Sequence, residues 1–187
     1  MKTLRLAAAA ALVLLPGLAE AHVGMHADGL AAGALHPLTG LDHMLAMLAV
    51  GLWAARLGGS ARWLVPAAFV AMMVAGSTIG IAGQELPGVE QAIAASVVGL
   101  GLAVAFGLRV PVAAATALVG LFALAHGQAH GAEMPDMASP LAYGLGFIAV
   151  TALLHAAGLG VGLLRPFLSR LAGAAIALAG VAMTFGA

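Results

Sequence analysis

The chain has 187 residues, of which 63% are hydrophobic and only 7% are charged, and its mean hydropathy is +1.11. Charged residues make up about a quarter of an ordinary soluble domain, so this composition excludes a water-soluble protein and predicts an integral membrane protein. A net charge of zero without any basic tract argues against nucleic-acid binding, and the absence of cysteine excludes disulfides, thiolate metal sites, iron–sulfur clusters and c-type haem.

The first 21 residues have the pattern of a bacterial secretory signal peptide. Lys2 and Arg5 precede a short apolar run over residues 6–15, and an Ala-x-Ala cleavage site ends at Ala21. We therefore predict cleavage after Ala21, which leaves residues 22–187 as one six-span membrane transport domain. The alternative is an uncleaved first helix, for which the apolar run is short.

Six apolar segments follow the leader, and each is long enough to cross a bilayer as a helix. The predicted fold is therefore an all-α integral membrane protein with six transmembrane helices. Every arginine of the mature chain falls in or beside the first, third or fifth connection, and the acidic loop residues fall in the others. The positive-inside rule then predicts a bacterial inner-membrane protein with both mature termini on the periplasmic side. The segments are 30–54, 63–83, 89–108, 111–130, 139–163 and 167–186.

The first apolar segment contains a polar motif that is expensive to bury in a membrane. His36, Gly40 and His43 are spaced at i, i+4 and i+7, so on one helix they would share a stripe, with Asp42 beside it. Pro37 suits the first turn of a helix. We therefore predict a helix that begins near His36, preceded by a re-entrant or broken piece.

A second polar motif closes the fourth segment. His126, His130 and Glu133 repeat the i, i+4, i+7 spacing and should lie at the same outer depth as the first motif. Together the two motifs supply four imidazoles and two carboxylates, a donor set that suits nickel, cobalt or zinc. The two carboxylates also match the charge of a divalent cation. We therefore predict one bipartite metal site, with ligands His36, Asp42, His43, His126, His130 and Glu133.

Five further residues are candidates for the transport path, each with a structural alternative. Glu90 is a helix-boundary residue or a carboxylate at the mouth of the path. Phe69 packs in the core or gates the path, and His155 is hydrogen-bonded to a neighbouring helix or contacts the passing ion. His22 and His26 form a metal-catching arm or a solvated terminus.

These motifs carry a family resemblance. The pattern His-Pro-x-x-Gly-x-Asp-His at 36–43, the pattern His-Gly-x-Ala-His-Gly-x-Glu at 126–133, the cleavable leader and six short spans rich in glycine and alanine resemble the HupE/UreJ family of nickel and cobalt permeases. The resemblance implies uptake of Ni²⁺, or of Co²⁺ in some members, for hydrogenase or urease maturation. It also implies functional roles for His36, Asp42, His43, His130 and Glu133, with Glu90 and Phe69 plausible by position.

The predicted function is therefore secondary transport and not enzymatic catalysis. The expected partners are a divalent transition-metal ion as cargo, membrane lipid, and a cytoplasmic metallochaperone or a second copy of the chain. No permanent cofactor and no nucleic acid are expected. The alternative is a b-type cytochrome whose transmembrane histidines bind haem. An intramembrane metallohydrolase is a third reading, but the His-Glu-x-x-His pattern of zincins is absent from the sequence.

Overall fold

The computed structural model describes residues 29–84, 86–135 and 138–186, and within these ranges the chain is entirely helical. The predicted all-α membrane fold is confirmed. Five helices are long and apolar enough to span a bilayer, and the first two helices together make a sixth, bent candidate span. The predicted signal peptide, His22 and His26 lie outside the described residues. The helices are α1 (Gly29–Thr39), α2 (Leu41–Leu57), α3 (Ala61–Ile81), α4 (Val89–Phe106), α5 (Val112–Ala132), α6 (Pro140–Leu164) and α7 (Pro166–Gly186).

The first span is broken at Gly40, so the predicted broken piece is confirmed, but its boundary is not. The broken piece is the helix α1, which starts at Gly29, and the helix after the break begins at Leu41 and not near His36; α1 meets α2 at an angle of 83°. Gly40 has an extended backbone (φ −90°, ψ 114°), and Pro37 in the last turn of α1 lacks the N–H that a helix interior uses. The Thr39 hydroxyl donates to the His36 carbonyl at 2.7 Å and so satisfies one free acceptor at the end of α1.

The break also means that His36 and His43 do not share a helical stripe, because they lie on opposite sides of the bend. A sharp turn of the chain brings them together instead. The other five spans agree with the predicted segments, and each observed end lies within two residues of the predicted one. Hydropathy is enough to locate these helices because their composition is uniformly apolar.

Glycines bring the helices into backbone contact. A Cβ added to Gly127 would lie 2.0 Å from the Met73 carbonyl oxygen, and one added to Gly131 would lie 2.3 Å from the Ser77 carbonyl oxygen. Such contacts join α5 to α3 at a spacing of four residues, the small-xxx-small packing of membrane helices. Each of these glycines directly follows a histidine of the second motif, so this contact sets the position of His126 and His130. Other close glycine contacts join α2 to α6 and α4 to α7, at Gly51, Gly158, Gly101 and Gly173.

The apolar core lies along α2 and its neighbours. Trp53, Phe69 and Met47 are among the largest fully buried side chains. The Trp53 indole N–H donates to the Leu108 carbonyl at 3.0 Å and ties the end of α2 to the connection between α4 and α5. This contact fixes the end of α2 that lies opposite the polar motif.

Candidate metal centre

Three helix ends bring the two histidine motifs together. His36 lies near the end of α1, His43 lies in the first turn of α2, and His126 and His130 lie in the last two turns of α5. The His130 ring centroid is 4.7 Å from that of His36 and 4.0 Å from that of His43, and the His43 and His126 centroids are 4.7 Å apart. Residues about ninety positions apart in sequence therefore form one cluster.

The cluster contains two overlapping groups of metal donors. His43, His126 and His130 form a buried group, while His36, His130 and Glu133 form a group closer to the surface. Within each group the donor atoms lie within 4.8 Å of one another. His130 belongs to both groups, but a neutral imidazole has a single unprotonated nitrogen. His130 can therefore bind an ion in only one group at a time. Two ions cannot both use this ring, one in each group.

Asp42 orients His43. Its Oδ1 accepts hydrogen bonds from the backbone N–H of His43 and from Nδ1 of the same ring, both at 2.8 Å. The Nδ1 position therefore carries the proton, which leaves Nε2 as the lone-pair donor. Neither donor group includes Asp42, although the sequence indicated it as a ligand. A carboxylate that holds a histidine in its ligating tautomer is a recurrent feature of metal sites.

Ser96 does the same for His126, and sequence reasoning missed it. The Ser96 hydroxyl donates to the Ile93 carbonyl at 2.7 Å, so its oxygen accepts from Nε2 of His126 at 2.8 Å. This bond leaves Nδ1 as the lone-pair donor of His126. A serine inside a membrane helix usually bonds only its own backbone, so the sequence contained no signal for this contact.

Four imidazole nitrogens in the cluster have no hydrogen-bond partner within the described part of the chain. They are Nε2 of His43, Nδ1 of His126 and both ring nitrogens of His130. These three side chains are buried. Buried polar atoms are normally paired, because leaving one unpaired costs about 1–3 kcal/mol. A cation that accepts the free lone pairs would remove that cost.

A cavity of about 220 Å³ gives access to the cluster from one end of the bundle. Its wall includes three carboxylates, those of Asp42, Glu90 and Glu133, and the rings of His36 and His130. Nε2 of His36 lies 3.1 Å from Oε2 of Glu133. Glu90 therefore lines the mouth of the site, and the acidic wall would attract a cation from solution.

Phe69 and His155 lie on the other side of the cluster. Phe69 is fully buried, with its ring centroid 5.8 Å from that of His126 and 5.0 Å from that of His155. His155 is also buried, but it belongs to neither donor group. Tyr143 and Phe147, which the sequence did not single out, add an aromatic wall beside His36.

The fold and this cluster define a class: a multi-pass helical membrane protein with a buried, histidine-rich candidate site for a divalent cation. The family model described as "HupE / UreJ protein" matches residues 10–183. The chain is 49% identical to Protein HupE of Rhizobium leguminosarum bv. viciae over the full length of both. No solved structure matches the chain. The protein therefore belongs to the HupE/UreJ family, as its motifs indicated.

Proposed function

We propose that this protein is a permease that takes up Ni²⁺, and Co²⁺ as a related cargo, across the bacterial inner membrane. One observation carries the proposal: the unpaired nitrogens of His43, His126 and His130 converge beside an acid-lined cavity. Imidazole nitrogens together with carboxylates suit borderline divalent metals better than hard cations such as Mg²⁺ or Ca²⁺. The family resemblance noted above, to nickel and cobalt permeases, supports the same cargo.

The two donor groups provide an order for binding. Carboxylates at the mouth attract the hydrated ion, and the more exposed group, formed by His36, His130 and Glu133, replaces part of its water shell. The ion then moves to His43 and His126 as His130 changes from one group to the other. Asp42 and Ser96 hold the receiving rings with their free nitrogens toward the ion.

The membrane potential supplies a driving force that needs no ATP site. A cation gains about 2.3 kcal/mol per charge for each 100 mV, so a divalent ion gains roughly 4.6 kcal/mol on entering an inside-negative cell. That energy corresponds to about three orders of magnitude in concentration, which is ample for a trace metal. The proposed role is therefore secondary transport and not enzymatic catalysis.

The proposed orientation has the cavity and both mature termini on the periplasmic side, with the signal peptide removed. Arg56 and Arg170 both approach Gly107, as expected if the ends bearing arginines share the cytoplasmic face. The transported metal would supply hydrogenase or urease maturation. The proposed protein partner is a cytoplasmic metallochaperone or a second copy of the chain. Lipid surrounds the bundle, and no permanent cofactor or nucleic acid takes part.

The haem alternative fits this geometry poorly. The ring centroids of His130 and His43 are 4.0 Å apart, so a porphyrin cannot lie between these rings. The carboxylate bound to His43 and the acids in the cavity wall also differ from an apolar haem pocket. A Soret band in the purified protein would restore this alternative.

Uptake of radioactive Ni²⁺ tests the proposal in a host that lacks its own nickel permease. Cells that express the wild type should accumulate nickel, and His130→Ala should abolish accumulation because both donor groups share that ring. Thr116→Val is the control. Among the described residues, the Thr116 hydroxyl bonds only carbonyls of its own helix, and it lies on α5 away from the cluster. Wild-type cells that accumulate no more nickel than the empty host would refute the proposal.

A further inference from the structure

A buried column of side chains runs down α6, away from the metal cluster. Tyr143, Phe147, Thr151 and His155 are spaced four residues apart, so they share one face of the helix. All four side chains are buried. The outer part of the column contacts the cluster, because the Phe147 ring centroid is 4.3 Å from that of His130.

The inner part of the column carries polar atoms without partners. Both ring nitrogens of His155 and the hydroxyl of Thr151 lack a hydrogen-bond partner within the residues that the structure describes. Thr151 is fully buried and His155 is 3% exposed. A threonine inside a helix can bond the carbonyl of the preceding turn, as Thr184 does with Gly180, so the free hydroxyl of Thr151 is unusual. Unpaired polar groups are especially unfavourable at membrane depth, where no bulk water is present.

Phe69 lies between these polar atoms and the cluster. Its ring meets the His155 ring edge to face at 5.0 Å and the His126 ring at 5.8 Å. Along α6, eight residues separate Phe147 from His155, which is about 12 Å of helix. The unpaired donors of His155 are therefore on the inner side of Phe69, one step beyond the cluster on a path toward the cytoplasm.

We propose that His155 and Thr151 form a second, transient binding station for the cation, separated from the outer cluster by the Phe69 ring. This inference rests on the proposed transport function and extends it inward. An imidazole nitrogen and a hydroxyl oxygen supply two protein donors, and the water molecules that the ion retains from its hydration shell supply the others. Two protein donors bind more weakly than the outer groups, as a transit site requires, because an ion must leave as readily as it arrives.

Two measurements on the full-length protein test the station separately from the outer cluster. Equilibrium dialysis with Ni²⁺ in nanodiscs reports binding at the cluster, and proteoliposomes that enclose a nickel-sensitive dye report flux. We expect His155→Ala to keep the wild-type binding stoichiometry while its Ni²⁺ flux falls by about tenfold or more. The retained binding also establishes that the variant folds. Ser169→Ala, which removes another unpaired buried hydroxyl but on α7, should keep wild-type flux.

A cysteine at this position distinguishes a ligand from a packing residue. The chain contains no cysteine, so His155→Cys introduces a single thiolate donor, which favours softer metals. We expect His155→Cys to regain flux and to raise the ratio of Cd²⁺ flux to Ni²⁺ flux above that of the wild type. Wild-type Ni²⁺ flux in His155→Ala, or an unchanged metal ratio in His155→Cys, would overturn the inner station alone. A wild-type protein that binds and carries no Ni²⁺ would overturn the proposed function as well.

Discussion

At the residue scale, the site depends on which ring nitrogen of each histidine carries the proton. His43 and His126 would bind an ion through different nitrogens, Nε2 and Nδ1, because a carboxylate holds one ring and a hydroxyl holds the other. Partners of this kind typically change metal affinity or activity by about 10–100-fold when they are removed. Asp42 and Ser96 therefore act through the ligands that they hold.

Ser96 gives the sharpest test of this idea. Ser96→Ala should weaken Ni²⁺ binding by about tenfold, because the His126 ring loses the acceptor that fixes its tautomer. Ser96→Thr, which keeps the hydroxyl, should bind like the wild type. Ser77→Ala is the control, because within the part of the chain that the structure describes the Ser77 hydroxyl bonds only the Met73 carbonyl of its own helix. Equal affinity in Ser96→Ala and the wild type, measured by equilibrium dialysis, would refute the role.

Asp42→Asn separates a positioning role from direct ligation. The amide oxygen can still accept the His43 ring proton but carries no charge, so we expect a loss of affinity of about tenfold with unchanged stoichiometry. His43→Ala, in contrast, should remove the buried donor group. If Asp42→Asn instead loses the bound ion completely, the carboxylate is itself a ligand. Equal uptake by Asp42→Asn and the wild type would remove Asp42 from the site.

At the element scale, the break between α1 and α2 builds the site. The chain turns by 83° at Gly40, so that His36 and His43 face His130 from two helices. A Cβ at Gly40 would lie 2.9 Å from Nδ1 of His43 and 3.0 Å from Oδ1 of Asp42. The glycine thus leaves room for the hydrogen bond that orients His43.

Gly40→Ala should therefore lower Ni²⁺ uptake by about tenfold or more, because the new methyl group displaces the Asp42 carboxylate from the His43 ring. Gly160→Ala on α6 is the matched control, since nothing lies within 4 Å of its added Cβ. Both variants should appear in the membrane at similar levels. Uptake by Gly40→Ala equal to that by Gly160→Ala would contradict the idea that the space at Gly40 is needed for the hydrogen bond between Asp42 and His43.

The sequence predicted the spans well and the site only in part. Hydropathy located five helices within two residues, and the paired motifs identified all four histidines of the cluster. The sequence did not predict the position of the break between α1 and α2, because Pro37 is compatible with either the start or the end of a helix. Nor did it predict the hydrogen bond of Ser96 or the free hydroxyl of Thr151, because both depend on which helices become neighbours.

At the scale of the whole molecule, the candidate site residues lie in order from one end of the bundle inward. The acid-lined cavity lies at one end, the histidine cluster beneath it, and Phe69 and His155 further in. Arg56, near the end of α2, and Arg170 both lie close to Gly107, which directly follows α4. These arginines are therefore at the end of the bundle opposite the cavity. This arrangement matches uptake of a cation down an inside-negative potential.

External pH should control transport. Imidazole must be neutral to bind a metal, so protons compete with Ni²⁺ at the cluster. Uptake should therefore fall as the external pH is lowered and should recover when the pH is raised. Because burial disfavours the charged form of an imidazole, the fall should begin well below the pKa of a free histidine, which is about 6.5. Proteoliposomes with a clamped membrane potential separate this competition from changes in driving force. Flux that stays unchanged down to the lowest pH at which the protein remains folded would contradict histidine ligation.

The most direct test of the central claim is X-ray absorption at the nickel edge on purified protein loaded with one equivalent of Ni²⁺. The structure predicts one ion per chain with imidazole nitrogens from the cluster as ligands, because His130 is shared by the two donor groups. His130→Ala should lose this signal. A bound ion surrounded only by oxygen donors, or an imidazole signal that persists unchanged in His130→Ala, would contradict the claim.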